Sequence, residues 1–207
     1  MNKVILFDID YTLFNNDRFV ELKDNQIIEI IGIKDVNKYK SILPKYLDSL
    51  NNHREFNPSD FLDLVCNEFC YKNKKTLEEL TYNSSILYKS SLFGDVVKSL
   101  KSLSKDYALG IFSEANDIKF QKHKLNSLGI GKYFDKDLIF IIDAKDTKEV
   151  IDKLPKKCVI VDDKESICNF LTENGIRAIW LNRKDGRKSE KYQTIFSLLE
   201  LPELLTM

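Results

Sequence analysis

The sequence predicts an α/β fold, a doubly wound parallel sheet with a helical bundle inserted into it. From Gly94 onwards, amphipathic helices alternate with short apolar strands, which is typical of a parallel sheet with right-handed crossovers. Residues 15–92 lack β-rich runs, and their apolar residues recur at helical spacing. These two patterns predict a core domain of residues 1–14 and 93–207 and a helical-bundle domain of residues 15–92.

The first predicted strand is an apolar run over residues 3–7, followed closely by Asp8 and Asp10. Its lack of polar alternation predicts a parallel strand buried on both faces. Open α/β sheets bind ligands beyond the carboxyl ends of their strands, so the two acids are candidate site residues. They share a face only if extended geometry persists to Asp10, because a turn starting at Ile9 separates them. For an isolated pair, an ordinary polar strand end or helix cap is the alternative.

The helical block is predicted to be an antiparallel bundle of about four helices. Asn57 and Pro58 have the pattern of a helix start, and we expect Pro44 to kink or break another helix. The insertion lies between the first strand and its crossover helix.

The remaining elements follow in alternation from Gly94. Helices are predicted over 95–105, 117–128, 148–154 and 165–174, and strands over 108–112, 138–142, 158–161 and 178–181. Gly129 and Gly175 follow two of the helices, as C-cap glycines do. We expect the strand over 178–181 to complete the sheet.

The composition excludes several functional classes. The 207 residues, 43% of them hydrophobic, suffice for one α/β domain with a large insertion. Since 32 basic residues balance 32 acidic ones, no global field favours nucleic acid or an anionic membrane. No apolar stretch approaches a bilayer-spanning length, and the N-terminus lacks a signal-peptide pattern. We expect a cytoplasmic monomer or weak dimer. The four cysteines are expected to be buried free thiols.

Further polar residues follow the later strands, at the same predicted edge as Asp8. Ser113 follows one strand, Lys145 follows the next, and Asp162 with Asp163 follows a third. Each has an ordinary explanation by itself, as a helix cap, a surface lysine or a loop. Together with Asp8 and Asp10, they place four acids, a hydroxyl and a lysine at one edge of the sheet. Carboxylates at this density repel one another unless a lysine and a hard cation neutralise them, which predicts a Mg²⁺ site.

These residues match a known family. The segment from Asp8 to Thr12 resembles the DxDxT signature of the haloacid dehalogenase (HAD) superfamily. Ser113 resembles its strand-end Ser/Thr, Lys145 its lysine, and the 162–163 pair its last acidic motif. The resemblance covers essentially the whole chain and implies a HAD-like Rossmannoid core with a helical cap inserted after the first motif.

The resemblance also implies roles for these residues. Asp8 would be the nucleophile that forms an aspartyl-phosphate, and Asp10 would protonate the leaving oxygen and later deprotonate water. Thr12 would steady Asp10, Ser113 would hydrogen-bond a phosphoryl oxygen, and Lys145 would offset negative charge.

The metal ligands implied by the resemblance are Asp8, the backbone carbonyl of Asp10, and Asp162, with Asp163 as a further acid. Ser166 stands where many members carry a second acid, and Asp163 is the alternative source of that charge. Lys148 is the alternative to Lys145, since it lies one helical turn further on.

The implied activity is Mg²⁺-dependent hydrolysis of a small phosphorylated metabolite. Asp10 argues against dehalogenation, because the dehalogenase branch lacks the second aspartate. A phosphomutase of the same fold, a phosphorylatable receiver-like signalling module and a non-catalytic binding protein are the alternatives. We assign no function to His53, His123, Arg18 or Arg54. A polar face of one helix, formed by Gln121, Lys122 and Lys124, is expected to be solvated.

Overall fold

The computed structural model describes residues 3–51 and 56–206. The chain divides into two compact units, one of Met1–Asn16 with Ser91–Met207 and one of Asp17–Ser90. These boundaries differ by two residues from the predicted 14/15 and 92/93. The backbone explains the difference: the Asn15 N–H donates to the Ser91 carbonyl at 2.8 Å, and Phe14 forms a β-bridge with Leu92. Both chain segments that connect the two units, around residues 14–15 and 91–92, therefore belong to the core unit.

The core unit contains a sheet of six parallel strands. They are β1 Lys3–Phe7, β2 Tyr107–Glu114, β3 Ile139–Ile142, β4 Val159–Asp162, β5 Arg177–Leu181 and β6 Gln193–Ile195. Their spatial order is β3-β2-β1-β4-β5-β6, which confirms the doubly wound parallel sheet. The expectation that β5 completes the sheet is wrong. Strand β6 pairs with β5 in parallel, and its three residues are too few to give a periodic signal.

The order of the strands reverses beside β1. The chain first builds outward through β2 and β3, then returns to the other side of β1 to add β4. Ile5 is paired with Val159 and Phe7 with Val161, so β1 and β4 end side by side. Ligands of doubly wound sheets bind at this switch point, beyond the carboxyl ends of the strands.

The helical unit has more helices than the four predicted. Its helices within the described residues are α1 Asn16–Ile31, α2 Val36–Lys40, α3 Ile42–Asp48, α4 Pro58–Glu68, α5 Lys74–Asn83 and α6 Ser85–Ser90. Breaks at Ser41 and Ser84 produce the additional ones. The expected effect of Pro44 is confirmed: the helical segment is interrupted at Ser41, and Pro44 lies in the first turn of α3, where an amide hydrogen is not needed. Asn57 caps α4 as predicted, accepting from the Ser59 N–H at 2.8 Å.

Apolar side chains from five of these helices and one connecting loop form the core of the helical unit. The buried cluster consists of Ile27, Ile33, Tyr39, Ile42, Tyr46, Phe61, Leu62, Val65, Cys66 and Leu77. Ile30, Leu64 and Ile86 belong to the predicted apolar pattern but are exposed. Helical periodicity thus predicted where the helices lie more accurately than it predicted which of their residues are buried.

The helices of the core unit flank the sheet. They are α7 Val96–Leu103, α8 Ile118–Ser127, α9 Lys148–Ile151, α10 Glu165–Glu173 and α11 Leu201–Thr206. Gly129 and Gly175 have φ of 72° and 78°, the left-handed conformation predicted for residues that follow a helix. Among the described residues, no helix is long and apolar enough to cross a bilayer.

The cysteines are all free thiols, but only three of them are buried. Cys66, Cys158 and Cys168 are inside, whereas Cys70 is exposed. The prediction of four buried thiols is therefore wrong at Cys70. This residue follows the end of α4 with a φ of 54°, a turn conformation that carries its side chain away from the buried face of the helix.

Candidate active site

Asp8 is the first residue beyond β1 and continues the register of that strand. Its N–H donates to the carbonyl of Val161 in β4 at 2.9 Å, and its side chain is 4% exposed. Because β1 is apolar and central, the carboxylate emerges from the core at the switch point of the sheet. The sequence places a buried acid where an α/β sheet binds ligands.

A tight turn follows Asp8, so extended geometry does not persist to Asp10. The Ile9 carbonyl accepts from the N–H groups of Leu13 and Phe14, both at 2.9 Å. Tyr11 adopts a φ of 57°, which is uncommon for a residue with a side chain, and its N–H donates to the Phe14 carbonyl at 2.7 Å. The turn separates the two carboxylates, the outcome that the sequence had left open.

The Asp10 carboxylate is held by helix α8. The Nε2 of Gln121 donates to one oxygen and the Nζ of Lys124 to the other, each at 2.7 Å. Gln121 is 3% exposed and Lys124 8% exposed. The prediction that these two residues belong to a solvated face is therefore wrong, although Lys122, also in that prediction, is exposed.

A sequence signal for this contact exists. The buried positions of the helix and its cap are 121, 124, 125 and 128, which is the i, i+3, i+4, i+7 spacing of a helix face that packs on the core. Leu125 and Leu128 mark the face, and extending it backwards leads to Gln121 and Lys124. Polar residues on the packing face of a helix that starts at the binding edge of a sheet indicate a site, not a solvated surface.

Ser113 lies within β2, one residue before its end, and is fully buried. The predicted strand ends at residue 112, and the observed strand continues for two more residues, Ser113 and Glu114. The Ser113 hydroxyl oxygen accepts from the Nε2 of Gln121 at 3.1 Å. Gln121 thus connects Ser113 with Asp10.

Lys145 bridges the acids that end β1 and β4. Its Nζ lies 2.7 Å from an Asp8 oxygen and 2.6 Å from an Asp162 oxygen, and the side chain is 1% exposed. Lys148, the alternative lysine, is exposed at the start of α9. Of the two, Lys145 is therefore the lysine at the carboxylate cluster.

Three carboxylates form a compact cluster at this edge. Asp8, Asp162 and Asp163 each provide an oxygen, and these oxygens lie within 4.8 Å of one another. The second Asp162 oxygen accepts from the Lys164 N–H at 2.9 Å, which fixes its side chain. Ser166 is exposed in the first turn of α10, so Asp163 is the second acid of this motif in the cluster.

The electrostatics of the cluster reflect its burial and, secondly, an excess of negative charge. Burial raises the pKa of Asp8 to about 6; Lys145 acts against this, and the charges of Asp162 and Asp10 add to it. Burial, with repulsion from Asp8 and Asp162, raises the pKa of Asp163 to about 7. Although burial alone lowers the pKa of an ammonium group, the neighbouring carboxylates raise the pKa of Lys145 above its ordinary value.

Asp10 has the opposite electrostatic character. Burial by itself raises its pKa, but the charge of Lys124 and hydrogen bonds from Lys124, Gln121 and Asn16 hold the pKa of Asp10 below its ordinary value. The two acids of the first motif therefore differ in their readiness to ionise, as expected for two carboxylates with different tasks.

The expected contact between Thr12 and Asp10 is not formed in the structure. The Thr12 hydroxyl is buried and has no hydrogen-bond partner within residues 3–51 and 56–206. The Thr12 carbonyl instead accepts from a guanidinium nitrogen of Arg183 at 3.1 Å, and the same guanidinium forms a bidentate pair with Asp95 at 3.0 Å. Arg183, which follows β5, thus fixes the turn after Asp10 although it lies far from that turn in the sequence.

Four residues have no assigned function: Arg18, His53, Arg54 and His123. Arg18 and His123 are exposed. His53 and Arg54 lie outside the described residues. Trp180 is in the core, where its Nε1 donates to the Asp163 carbonyl at 2.9 Å and so supports the acidic motif from behind.

Comparison with known proteins identifies the fold. The HAD-hydrolase YfnB from Bacillus subtilis, bound to magnesium, superposes with a TM-score of 0.66 at 18% identity, over 100% of this chain and 99% of that one. A HAD phosphatase from Thermococcus onnurineus superposes with a TM-score of 0.60 at 22% identity, over 99% and 98% of the two chains. The chain has the HAD-hydrolase fold.

The HAD fold is shared by enzymes of different chemistry. The defluorinating L-2-haloacid dehalogenase Rha0230 superposes with a TM-score of 0.65 at 14% identity, over 100% of this chain and 96% of that one. No protein-family model matches the chain. No curated protein matches it either. The choice among activities that the HAD fold supports must therefore come from the residues of this chain.

Proposed function

We propose that the protein is a Mg²⁺-dependent phosphatase that hydrolyses a small phosphomonoester through an aspartyl-phosphate on Asp8. The observation that carries the proposal is the carboxylate cluster of Asp8, Asp162 and Asp163, bridged by Lys145 at the switch point of the sheet. A second aspartate, Asp10, lies two residues from the nucleophile in a separate hydrogen-bonded setting.

The donor set fits Mg²⁺. This ion prefers oxygen ligands at about 2.0–2.1 Å, so two of its ligands lie about 2.9–4.2 Å apart, close to the spacing of the three carboxylate oxygens. One ammonium group against three carboxylates leaves an excess of negative charge, which adds to the effect of burial in raising the pKa of Asp8 and Asp163. Asp8, Asp162 and Asp163 would hold the ion, which when bound offsets the charge of phosphate and carboxylate.

The chain's own residues account for both chemical steps. A carboxylate oxygen of Asp8 attacks phosphorus, and the bond from phosphorus to the ester oxygen breaks as Asp10 gives that oxygen a proton. In the second step Asp10 takes a proton from water, the water oxygen bonds to phosphorus, and Asp8 leaves. The products are an alcohol and inorganic phosphate, and both aspartates regain their starting states.

Asp10 must change its protonation state during this cycle. Its contacts with Lys124 and Gln121 favour the carboxylate, which is the form that acts as a base on water. A phosphate dianion that enters beside Asp10 raises its pKa, because like charges disfavour ionisation. Substrate binding therefore supplies the condition under which Asp10 can carry a proton to the leaving oxygen.

The experiment is a screen for released phosphate over sugar phosphates, nucleotides and phosphorylated acids, with Mg²⁺ and with a chelator. We expect release that needs Mg²⁺ and is lost in Asp8→Asn, which keeps the side-chain shape but removes the nucleophile. Parallel assays for halide release from 2-haloacids and for phosphate-shifted isomers test the dehalogenase and mutase alternatives. Halide release without phosphate release would overturn the proposal.

A further inference from the structure

The Gln121 side chain connects two groups of the proposed reaction. Its Nε2 lies 2.7 Å from an Asp10 oxygen and 3.1 Å from the Ser113 hydroxyl oxygen. It projects from α8, whose first turn is fixed by Asp117, the N-cap residue that accepts from the Phe120 N–H at 2.9 Å. Gln121 and Ser113 are both buried, so water does not compete strongly for these hydrogen bonds.

Hydrogen-bond chemistry determines the direction of both contacts. An ionised carboxylate only accepts hydrogen bonds, so the amide nitrogen of Gln121, and not its oxygen, must face Asp10. That nitrogen carries two hydrogens, one for Asp10 and one for Ser113. Ser113 is then an acceptor in this pair, and its own hydrogen must be donated elsewhere.

In the described part of the chain, that hydrogen has no recorded acceptor. Within residues 3–51 and 56–206, the Ser113 hydroxyl hydrogen-bonds only to Gln121. A buried hydroxyl with an unused donor is uncommon, because buried polar groups are normally satisfied. A bound phosphoryl oxygen is an acceptor of the required kind.

Asp10 retains capacity for the reaction while it is held. Its two oxygens offer about four acceptor positions. Gln121, Lys124 and Asn16 account for three hydrogen bonds. One position stays available for a leaving oxygen or a water molecule, in an orientation that the other three contacts restrict.

We propose that Gln121 is a positioning residue that makes Ser113 a donor toward the phosphoryl group and fixes the carboxylate of Asp10. This inference rests on the proposed phosphatase function and assigns a role that the four sequence motifs do not contain. Gln121 itself touches neither substrate nor metal; it acts through the two residues that it links.

The test compares Gln121→Met with Lys122→Met. Methionine matches glutamine in length and helix preference but donates no hydrogen bond, and Lys122 is an exposed neighbour on the same helix. Since a hydrogen bond to a charged group is worth roughly a tenfold effect or more, we expect kcat/KM to fall at least about tenfold in Gln121→Met and to stay unchanged in Lys122→Met. Circular dichroism and urea titration show that each variant is folded.

A double-mutant cycle separates positioning from general packing. If Gln121 acts through Ser113, Gln121→Met costs less in a Ser113→Ala background than in the wild type, by about fivefold or more. If the reductions in kcat/KM caused by the two single substitutions simply multiply in the double variant, Gln121 does not act through Ser113. If Gln121→Met is unfolded, Gln121→Glu provides the second variant. Its carboxylate is an acceptor that diverts the Ser113 hydrogen, so kcat/KM is again expected to fall.

Binding of beryllofluoride, which mimics a phosphoryl group on an aspartate, gives a readout without turnover. With Mg²⁺ present, calorimetry is expected to show binding weakened about tenfold in Gln121→Met and unchanged in Lys122→Met. A wild type that neither binds beryllofluoride nor releases phosphate overturns the proposed function. An active wild type whose Gln121 variants match Lys122→Met overturns only the role of Gln121.

Discussion

Substituting the proposed nucleophile by asparagine should stabilise the protein at neutral pH when a chelator is present. In the folded protein the pKa of Asp8 is raised from 3.8 to about 6, chiefly by burial. Each tenfold change in proton affinity corresponds to about 1.4 kcal/mol, so ionised Asp8 destabilises the fold by on the order of 3 kcal/mol. Asparagine keeps the shape of the side chain and carries no charge.

The pH dependence of this effect has a defined sign. Below the unfolded-state pKa of 3.8 the Asp8 carboxyl is protonated in both states, and the full contribution to stability is present. As the pH rises through the folded-state value of about 6, this contribution is lost. The gain from Asp8→Asn is therefore expected to be below about 1 kcal/mol at pH 4 and close to its full value at pH 7.5.

Urea and thermal unfolding of both proteins in chelator measure the difference. For a chain of this size, about 3 kcal/mol corresponds to roughly 6–12 °C in Tm. Asp106→Asn, at an exposed position, is the matched control and is expected to change stability by less than about 0.5 kcal/mol. Adding Mg²⁺ should stabilise the wild type more than Asp8→Asn, because the variant lacks one negatively charged ligand. An Asp8→Asn protein less stable than the wild type at pH 7.5, or a gain equal at both pH values, would show that ionised Asp8 does not destabilise the fold.

Three further predictions follow from the geometry. Lys145→Met leaves two buried carboxylates without their cation, so urea denaturation at pH 7.5 should show a loss of about 3–5 kcal/mol; unchanged stability would contradict the assigned ion pairs. Asp10→Asn should accumulate phosphoenzyme with an activated aryl phosphate, because only the second step then needs a base, whose assistance is worth about 10²–10⁴-fold in rate. No phosphoenzyme should accumulate with an alkyl phosphate. Mass measurement after rapid quench distinguishes these outcomes. Gly110→Ala places a Cβ in steric conflict with the Leu138 carbonyl oxygen and should cost about 1–3 kcal/mol or more in urea denaturation, whereas Gly131→Ala, with no atom within 4 Å of its Cβ, should not.

The position of the site follows from a simple property of the fold. In a parallel sheet all strands end at one edge, so polar residues after separate apolar strands come together without any knowledge of side-chain packing. This reasoning identified Asp8, Lys145, Asp162 and Asp163, which the structure brings together. Their chemical roles remain predictions.

Other contacts were missed because they depend on tertiary packing. Gln121 and Lys124 are polar, so they were expected on a solvated face of the helix. They lie instead on the face of α8 that packs against the core. Arg183 contacts the Thr12 carbonyl across 171 positions of sequence, a pairing that no local pattern encodes. Strand β6 is added beside β5 by backbone hydrogen bonds, with only three residues of its own.

The most direct test of the aspartyl-phosphate mechanism is to locate the covalent intermediate. The protein would be mixed with Mg²⁺ and an activated phosphomonoester, quenched in acid within milliseconds, digested and mapped by mass spectrometry. If Asp8 is the nucleophile, we expect one phosphoryl group on the peptide that contains Asp8, removed by hydroxylamine and absent in Asp8→Asn. Rapid turnover with no phosphoryl group on Asp8, or with one on another residue, would contradict this mechanism.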